Sequence, residues 1–319
     1  RGWVIGGSGS GRLVSNERGD YYADTTFVDA LNEYGASTYT ALTDYYSQFC
    51  NERPGLSGNG TLQYSAQDFY KIVEPDIDSY PSSLKSGAEN FSDTAFVVIS
   101  RCAGEAKDPP RVQYKYNAAT DSSRTYLEIS TEEEKLLNYV AGAYENVIVI
   151  INSTNTMELG FLDTIEGIDA CLIVGGTGVN AASALPELIY GEVSPSGRLA
   201  DTYAYEFETN VNYYHTGDVG EGKYTNGDDL LLVGVNQNAG SADRHGNSYI
   251  DYIENIYVGY KWYETADAEG VWNNVSNGYG TGYEGVVQYP FGYGLGYEDK
   301  NDIEWNVTSV SPAAGSELK

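Results

Sequence analysis

Three short apolar runs limit the fold of this chain more than any other feature of its sequence. They are Thr94–Ser100 (TAFVVIS), Val147–Asn152 (VIVIIN) and Ala170–Gly175 (ACLIVG). Each run is nearly all apolar and rich in β-branched residues, which is typical of strands covered on both faces. The three runs therefore predict strands of a mainly parallel sheet.

Helical patterns separate these runs. Ser130-Thr-Glu-Glu133 is a capping box, and apolar residues follow it at helical spacing. Further helices are predicted over Thr25–Tyr34, Tyr39–Cys50, Asp76–Glu89 and Asn180–Tyr190, the last ended by Gly191. The alternation of strand and helix indicates an α/β fold whose sheet is sandwiched by helices. After about Asp201 the chain is rich in Gly, Asn, Tyr and Asp, which predicts a long irregular C-terminal region.

The chain is strongly acidic, with 46 Asp and Glu against 18 Lys and Arg and a net charge of −28. Such a chain repels phosphate backbones, which argues against a nucleic-acid partner. No apolar run approaches the roughly 18 residues that a membrane span needs. The three cysteines form no CxxC pair and the two histidines lie in polar stretches, so neither a metal site nor a disulfide framework is expected. Acidity and the 30 tyrosines suit a neutral ligand such as a sugar.

Two glycine-rich segments superficially resemble nucleotide-binding loops. Gly6–Gly11 (GGSGSG) lacks the Lys-Ser/Thr of a P-loop. Gly176–Ala181 (GTGVNA) matches GxGxxA, but the acidic residues near Glu192 and Asp201 do not end a second strand, as a dinucleotide site requires. No cofactor is therefore expected. The second segment still indicates a tight turn at the C-terminal edge of the sheet, where open α/β sheets bind their ligands.

The segment Ser100–Asp108 (SRCAGEAKD) leaves the end of a predicted buried strand. It brings Arg101, Glu105, Lys107 and Asp108 together on one loop. A carboxyl group at this edge of a sheet can be tuned by a charged partner to act as a general acid. An ordinary charged surface loop is the alternative.

Five segments, in order along the chain, resemble the α/β sandwich domain of glycoside hydrolase family 3, the β-glucosidase family. The GEVSPSGRL and PFGYGL signatures are the most specific of them. The matching segments are Gly6–Gly11, Val98–Glu105 (VISRCAGE), Asn152–Asp163 (NSTNTMELGFLD), Gly175–Thr202 and Tyr289–Tyr297 (YPFGYGLGY). The resemblance implies an (α/β)6 sandwich from a retaining exo-glycosidase that acts on β-linked oligosaccharides or aryl glycosides.

The resemblance also implies residue roles. The family's loop resembles SR-x-x-GEG-x-DR, which places the acid/base carboxyl on Glu105 and substrate contacts on Arg101 and Asp108. Ala106, Pro109 and Pro110 depart from that pattern. In the family the Asp nucleophile belongs to a separate (β/α)8 barrel, and these 319 residues contain neither eight βα units nor a matching nucleophile motif. The chain alone is therefore expected to be inactive.

The domain boundaries follow from the same resemblance. Residues 1–300 are expected to form the sandwich domain without its first strand, since only Arg1–Ile5 precedes the GGSGSG loop. Residues 301–319 are expected to begin a fibronectin-type β module or a linker. Tyr252–Asp267 is similar to a permuted subset of the family, which favours a sandwich domain that precedes the barrel.

Two other functional classes stay open. A non-catalytic carbohydrate-binding or domain-interface module would use aromatic faces such as those of Trp262 and Trp272, although such residues more often pack than bind. A nucleotide or redox domain is favoured only by the GxGxxA match. Low Lys and Arg content, few cysteines and many Tyr and Asn residues favour an extracellular or cell-surface bacterial protein, with the cytoplasm as the alternative.

Overall fold

A computed structural model of the 319-residue chain describes residues 3–4, 25–49, 70–104, 109–117, 119–214 and 254–298. The strands in these ranges are β1 Lys71–Ile72, β2 Thr94–Arg101, β3 Gln113–Lys115, β4 Thr120–Asp121, β5 Asn146–Ser153, β6 Ala170–Ile173, β7 Tyr203–Ala204 and β8 Val287–Tyr289. The α-helices are α1 Phe27–Tyr34, α2 Thr40–Ser47, α3 Ser82–Phe91, α4 Thr131–Ala143, α5 Phe161–Thr164, α6 Leu185–Ile189 and α7 Tyr260–Ala268. Residues 301–319, the predicted start of a β module, lie outside the described ranges.

The main sheet has the parallel order β2-β5-β6, which confirms the predicted strands and fold class. Val149 of β5 stands beside Val97 of β2 and Cys171 of β6. Burial on both faces holds for β5, whose residues Val147–Ile151 are almost all inaccessible to solvent. The prediction of burial on both faces is wrong for β6, where Ala170 and Ile173 are exposed. Among the described strands, β6 lies at the edge of the sheet.

Helices cover both faces of this sheet. One face packs against α3 and α4 through a large core cluster that includes Val97, Val149 and Leu137. The opposite face packs against α1 and α6, where Phe27 and Leu185 contact Ile150. The longest of the described helices, α4, has 13 residues, and none of them combines the length and apolarity that crossing a membrane requires.

Two predicted helices are interrupted where the sequence places proline. The range Asp76–Glu89 consists of a 3₁₀ turn, Ile77–Ser79, followed by α3, because Pro81 has no N–H and stands at the N-cap of α3. The range Asn180–Tyr190 divides in the same way, into a 3₁₀ turn and α6, with Pro186 in the first turn of α6. Gly191 then ends the segment with φ 75°, as predicted.

The C-terminal region is more regular than the sequence predicts. Strands β7 and β8 pair antiparallel, and α7 packs on them through a cluster that contains Tyr263, Trp272 and Val286. Aromatic residues build this cluster, so the usual aliphatic helical period is absent from the sequence. The Gly- and Asn-rich stretch 215–253 lies outside the described residues.

Candidate active site

The ends of β2 and β5 are joined where the predicted acid/base loop begins. The Thr154 amide donates to the Arg101 carbonyl at 3.4 Å, and the Ala103 amide donates to Thr154 Oγ1 at 3.3 Å. Parallel strands bring their C-terminal ends to one edge of a sheet. The segments after β2 and β5 are thereby held side by side at that edge.

Arg101 is the last residue of β2, and its side chain is turned into the protein, with 1% exposure. Its guanidinium forms a bidentate ion pair with Glu133, at 2.9 Å to Oε1 and 2.6 Å to Oε2. It also donates to the carbonyls of Ser100, Tyr126 and Glu128. These are the contacts of a residue that positions the loop, and the predicted contact between Arg101 and substrate stays a prediction.

Glu133 has two functions in the first turn of α4. Its carboxylate accepts from the Ser130 amide at 2.7 Å, which completes the predicted capping box, and it pairs with Arg101. Burial alone works to lower the pKa of Arg101, but the charge of Glu133 raises it above its ordinary value. Burial works to raise the pKa of Glu133, but the guanidinium lowers it. Both groups are therefore charged at neutral pH.

The root of the loop is buried and its next residue is not. Cys102 and Ala103 are 1% and 2% exposed, and the Cys102 amide donates to the hydroxyl of the buried Tyr126 at 3.0 Å. Gly104 is exposed, so the chain reaches the surface immediately before Glu105. Residues 105–108, which include the predicted site residues Glu105 and Asp108, lie outside the described ranges.

The far side of the loop is anchored as well. Pro109 and Pro110 are half-buried, and the carbonyl of Pro110 accepts from the Tyr126 amide at 3.2 Å. The guanidinium of Arg111 lies 4.0 Å from the centre of the Tyr213 ring and donates to the Tyr213 carbonyl. Tyr126 thus contacts the chain on both sides of the four residues that carry Glu105.

Asn152 organises the neighbouring strand end, a role that the sequence did not indicate. Its buried side chain accepts from the Val4 amide at 2.6 Å and donates to the carbonyls of Val4 and Gly175 at 2.9 and 2.7 Å. Residues 3–4 and the turn after β6 are therefore tied to the end of β5. A polar residue that ends the apolar run VIVIIN is the signal that could have identified it.

A second carboxyl group lies on the segment that follows β5. Glu158 Oε1 accepts from the Phe207 amide at 2.6 Å. Burial raises the pKa of Glu158 to about 8, and the negative charges of Glu128, Glu206 and Glu208 also raise this pKa. The hydrogen bond from the Phe207 amide lowers it in part. Glu158 is therefore mostly protonated at neutral pH, and it was not among the predicted site residues.

The two tryptophans named as candidate sugar contacts, and the cysteines of the described ranges, lie in the core or are half-buried. Trp272 is 7% exposed and lies in the core with Tyr263, so it offers no face to a sugar. Trp262 is half-buried, and its indole donates to the Thr209 carbonyl. Cys102 is buried and Cys171 is half-buried. Within the described ranges, no three His, Cys, Asp or Glu side chains are grouped so that they could hold a metal ion.

These features define a helix-covered parallel sheet with an anchored, carboxyl-bearing loop at its C-terminal edge. The model of the glycosyl hydrolase family 3 C-terminal domain matches residues 3–297. The chain therefore belongs to this family.

Curated relatives and solved structures agree with that membership. The chain is 26% identical to a beta-glucosidase of Ruminococcus albus, over 98% of this chain and 27% of the relative. It is likewise 26% identical to beta-glucosidase A of Butyrivibrio fibrisolvens, over 92% of this chain and 30% of the relative. This chain thus spans less than a third of the length of these relatives. A beta-glucosidase from Paenibacillus barengoltzii covers 93% of the chain with a TM-score of 0.62 and 24% identity, and uses 25% of its own length. Beta-glucosidase 3B from Thermotoga neapolitana covers 92% of the chain with a TM-score of 0.59 and 21% identity, and the match takes up 32% of its own length. At these identities the two structures establish the fold.

Proposed function

We propose that this chain supplies the general acid/base carboxyl, Glu105, to the active site of a retaining exo-acting β-glucosidase. The observation that carries the proposal is the anchoring of Arg101 by Glu133 at the end of β2. This anchoring holds the root of the Glu105 loop at the sheet edge where α/β proteins bind ligands. The β-glucosidase relatives support a β-linked glucoside as substrate. We propose a β-linked oligosaccharide or aryl glycoside, which two carboxyl groups can cleave without a cofactor.

The second carboxyl group is proposed to come from a separate (β/α)8 barrel domain of the parent protein. A retaining glycosidase needs two carboxyl groups about 5–5.5 Å apart, one of them ionised to attack the anomeric carbon. Glu158 lies on the segment after β5, but its raised pKa keeps it mostly protonated and its Oε1 is engaged by Phe207. Glu158 therefore does not meet the requirements of the nucleophile, and a barrel Asp fills that role.

In this mechanism Glu105 first protonates the departing glycosidic oxygen while the barrel carboxylate attacks the anomeric carbon. Glu105, now ionised, then removes a proton from the water that cleaves the glycosyl-enzyme bond. General acid/base help of this kind contributes about 10²–10⁴-fold to the rate. Asp108 is proposed to contact the substrate from the same loop.

The test is Glu105→Gln in the full-length parent enzyme, compared with Glu269→Gln, the same chemical change at an exposed position of the fold. Glu105→Gln should lower kcat/KM for cellobiose by about 10²–10⁴-fold. It should affect an activated dinitrophenyl glucoside much less, and azide should restore turnover of that substrate. Normal cellobiose hydrolysis by Glu105→Gln would overturn the assignment.

The isolated 319-residue chain provides a complementary measurement. It should show no heat-labile hydrolysis of nitrophenyl glucoside, because the nucleophile is absent. Turnover by the pure chain would contradict the separate barrel. Millimolar binding of glucose or cellobiose by the chain alone would instead favour a carbohydrate-binding module.

A further inference from the structure

The hydroxyl of Tyr126 bonds both backbone groups of Cys102, the residue from which the Glu105 loop starts. It accepts from the Cys102 amide at 3.0 Å and donates to the Cys102 carbonyl at 3.3 Å, and Tyr126 is inaccessible to solvent. The ladder between β2 and β5 ends at Arg101, so the buried backbone groups of Cys102 need partners from outside that ladder. The side chain of Tyr126 supplies such partners at the entrance to the loop.

The backbone of Tyr126 holds the exit from the same loop. Its amide donates to the Pro110 carbonyl at 3.2 Å. Pro109 and Pro110 follow the loop directly, and their rings fix φ near about −65°, so the exit is stiff. A residue that precedes a proline is also confined to extended conformations, which restricts Pro109 further. One tyrosine therefore ties both ends of the segment that carries Glu105.

Tyr126 is itself fixed by its neighbours. Its carbonyl accepts from Arg101 Nε at 2.6 Å, and the Arg101 guanidinium lies 5.4 Å from the centre of its ring. The buried side-chain amide of Gln113 donates to the carbonyl of Thr125, the preceding residue, at 2.8 Å. The ring also packs edge-on against Tyr70, with the centroids 5.0 Å apart. A side chain locked in this way by packing and hydrogen bonds can hold a neighbouring segment in one geometry.

We propose that Tyr126 is a positioning residue for the general acid: it fixes both ends of the loop so that Glu105 meets the glycosidic oxygen at hydrogen-bonding distance. The inference rests on the proposed function, in which Glu105 is the acid. A general acid must lie within hydrogen-bond reach of the atom that it protonates, and a displacement of about 1 Å can lower the rate by about 100-fold. Tyr126 transfers no proton and acts only through its bonds to Cys102 and Pro110.

The first test is Tyr126→Phe in the full-length parent enzyme, which keeps the ring and the backbone but removes the hydroxyl that bonds Cys102. The value of kcat/KM reports the step in which Glu105 protonates the leaving oxygen. It should fall about 10–100-fold for cellobiose. It should change less than about threefold for a dinitrophenyl glucoside, whose leaving group needs no protonation. An equal fall for both substrates, or no fall for cellobiose, would overturn the proposal.

The matched control is Tyr263→Phe. Tyr263 is likewise buried, at 2% exposure, and its hydroxyl is hydrogen-bonded to Thr209 Oγ1 at 3.2 Å in the cluster around Trp272. Losing this hydroxyl is the same chemical change away from the loop. It should leave the ratio of the two kcat/KM values unchanged, and a ratio that changes as much as in Tyr126→Phe would contradict a specific role for Tyr126.

The second test is the double variant that combines Tyr126→Phe with Glu105→Gln. If Tyr126 acts only through Glu105, the two losses are not additive, and the double variant should hydrolyse cellobiose at the same rate as Glu105→Gln alone. A further loss as large as that in the wild-type background would show that Tyr126 acts independently of Glu105. Normal cellobiose hydrolysis by Glu105→Gln alone refutes the acid assignment. A normal Tyr126→Phe beside a defective Glu105→Gln refutes only the positioning role.

Hydrogen exchange in the wild-type enzyme decides the question if Tyr126→Phe does not fold. The Cys102 amide reports the bond to the Tyr126 hydroxyl, and the Tyr126 amide reports the bond to Pro110. Both amides should exchange as slowly as that of Val149 in the centre of β5, because neither end of the loop opens on its own. Exchange at either amide that is about tenfold or more faster than at Val149 would show that the loop end opens locally, and the proposal would be wrong.

Discussion

Arg101 and Glu133 form a buried bidentate ion pair that joins the end of β2 to the first turn of α4, with side-chain exposures of 1% and 7%. The two residues are 32 positions apart in the chain. Glu133 also closes the capping box of α4, so one carboxylate fixes both the helix start and the strand end from which the Glu105 loop leaves. The predicted acid/base loop therefore depends on a contact that contains no proposed catalytic group.

Glu133→Gln should destabilise the fold strongly. Removing one partner of a buried ion pair leaves an uncompensated charge, which costs about 3–5 kcal/mol. The matched control is Glu134→Gln, the next residue of the same helix, whose pair with Arg124 is partly exposed and is worth about 1 kcal/mol or less. Urea unfolding followed by circular dichroism measures both. Equal losses in the two variants would contradict a special role for the Arg101 pair.

Glu74 should make stability depend on pH in an unusual direction. Its carboxylate accepts from the hydroxyls of Tyr46 and Tyr80 at 3.0 and 2.7 Å. Burial raises the pKa of Glu74 from 4.5 to about 7, and these hydrogen bonds only partly oppose the shift. A carboxyl whose pKa is higher in the folded state favours folding most below pH 4.5, and that contribution is lost as pH rises to about 7.

Glu74→Gln should therefore remove the loss of folding stability that Glu74 causes as the pH rises from 4.5 to about 7. At pH 8 the variant should be more stable than the wild type by up to about 3 kcal/mol, and the difference should shrink as the pH falls toward 4.5. Glu145→Gln, the same chemical change at an exposed position, is the matched control. Urea unfolding at pH 5, 6, 7 and 8 makes the comparison. A Glu74→Gln variant whose advantage is the same at every pH would show that Glu74 does not titrate in this window.

Local sequence signals predict the elements of this fold well. The continuous β-branched run Val147–Asn152 identifies β5, and the Ser130–Glu133 capping box identifies the start of α4, because both signals act between residues close in the chain. Pro81 and Pro186 also mark, by the missing N–H, where two predicted helices divide.

The site was harder to predict because its contacts are remote in sequence. The motif predicts a substrate contact for Arg101, which stays a prediction. No local signal predicts its buried ion pair with Glu133, because Glu133 belongs to another element. Asn152 bonds Val4 across 148 positions, and no local pattern encodes that pairing. The raised pKa of Glu158 likewise arises from burial and from carboxylates that the fold collects, not from its neighbours in the chain.

Asn152→Leu should loosen the sheet edge where these segments meet. Leucine fills a similar volume but satisfies none of the three backbone groups that Asn152 bonds on Val4 and Gly175. A buried backbone group left without a partner costs about 1–3 kcal/mol. The amides of Val4 and Thr177 should exchange faster, since the Thr177 amide donates to the Val4 carbonyl that Asn152 holds in place. Asn138→Leu is the control, because its exposed side chain bonds only within α4 through the Glu134 carbonyl. If Val4 and Thr177 exchange at the same rate in both variants, Asn152 is not the residue that ties the first described segment to β5.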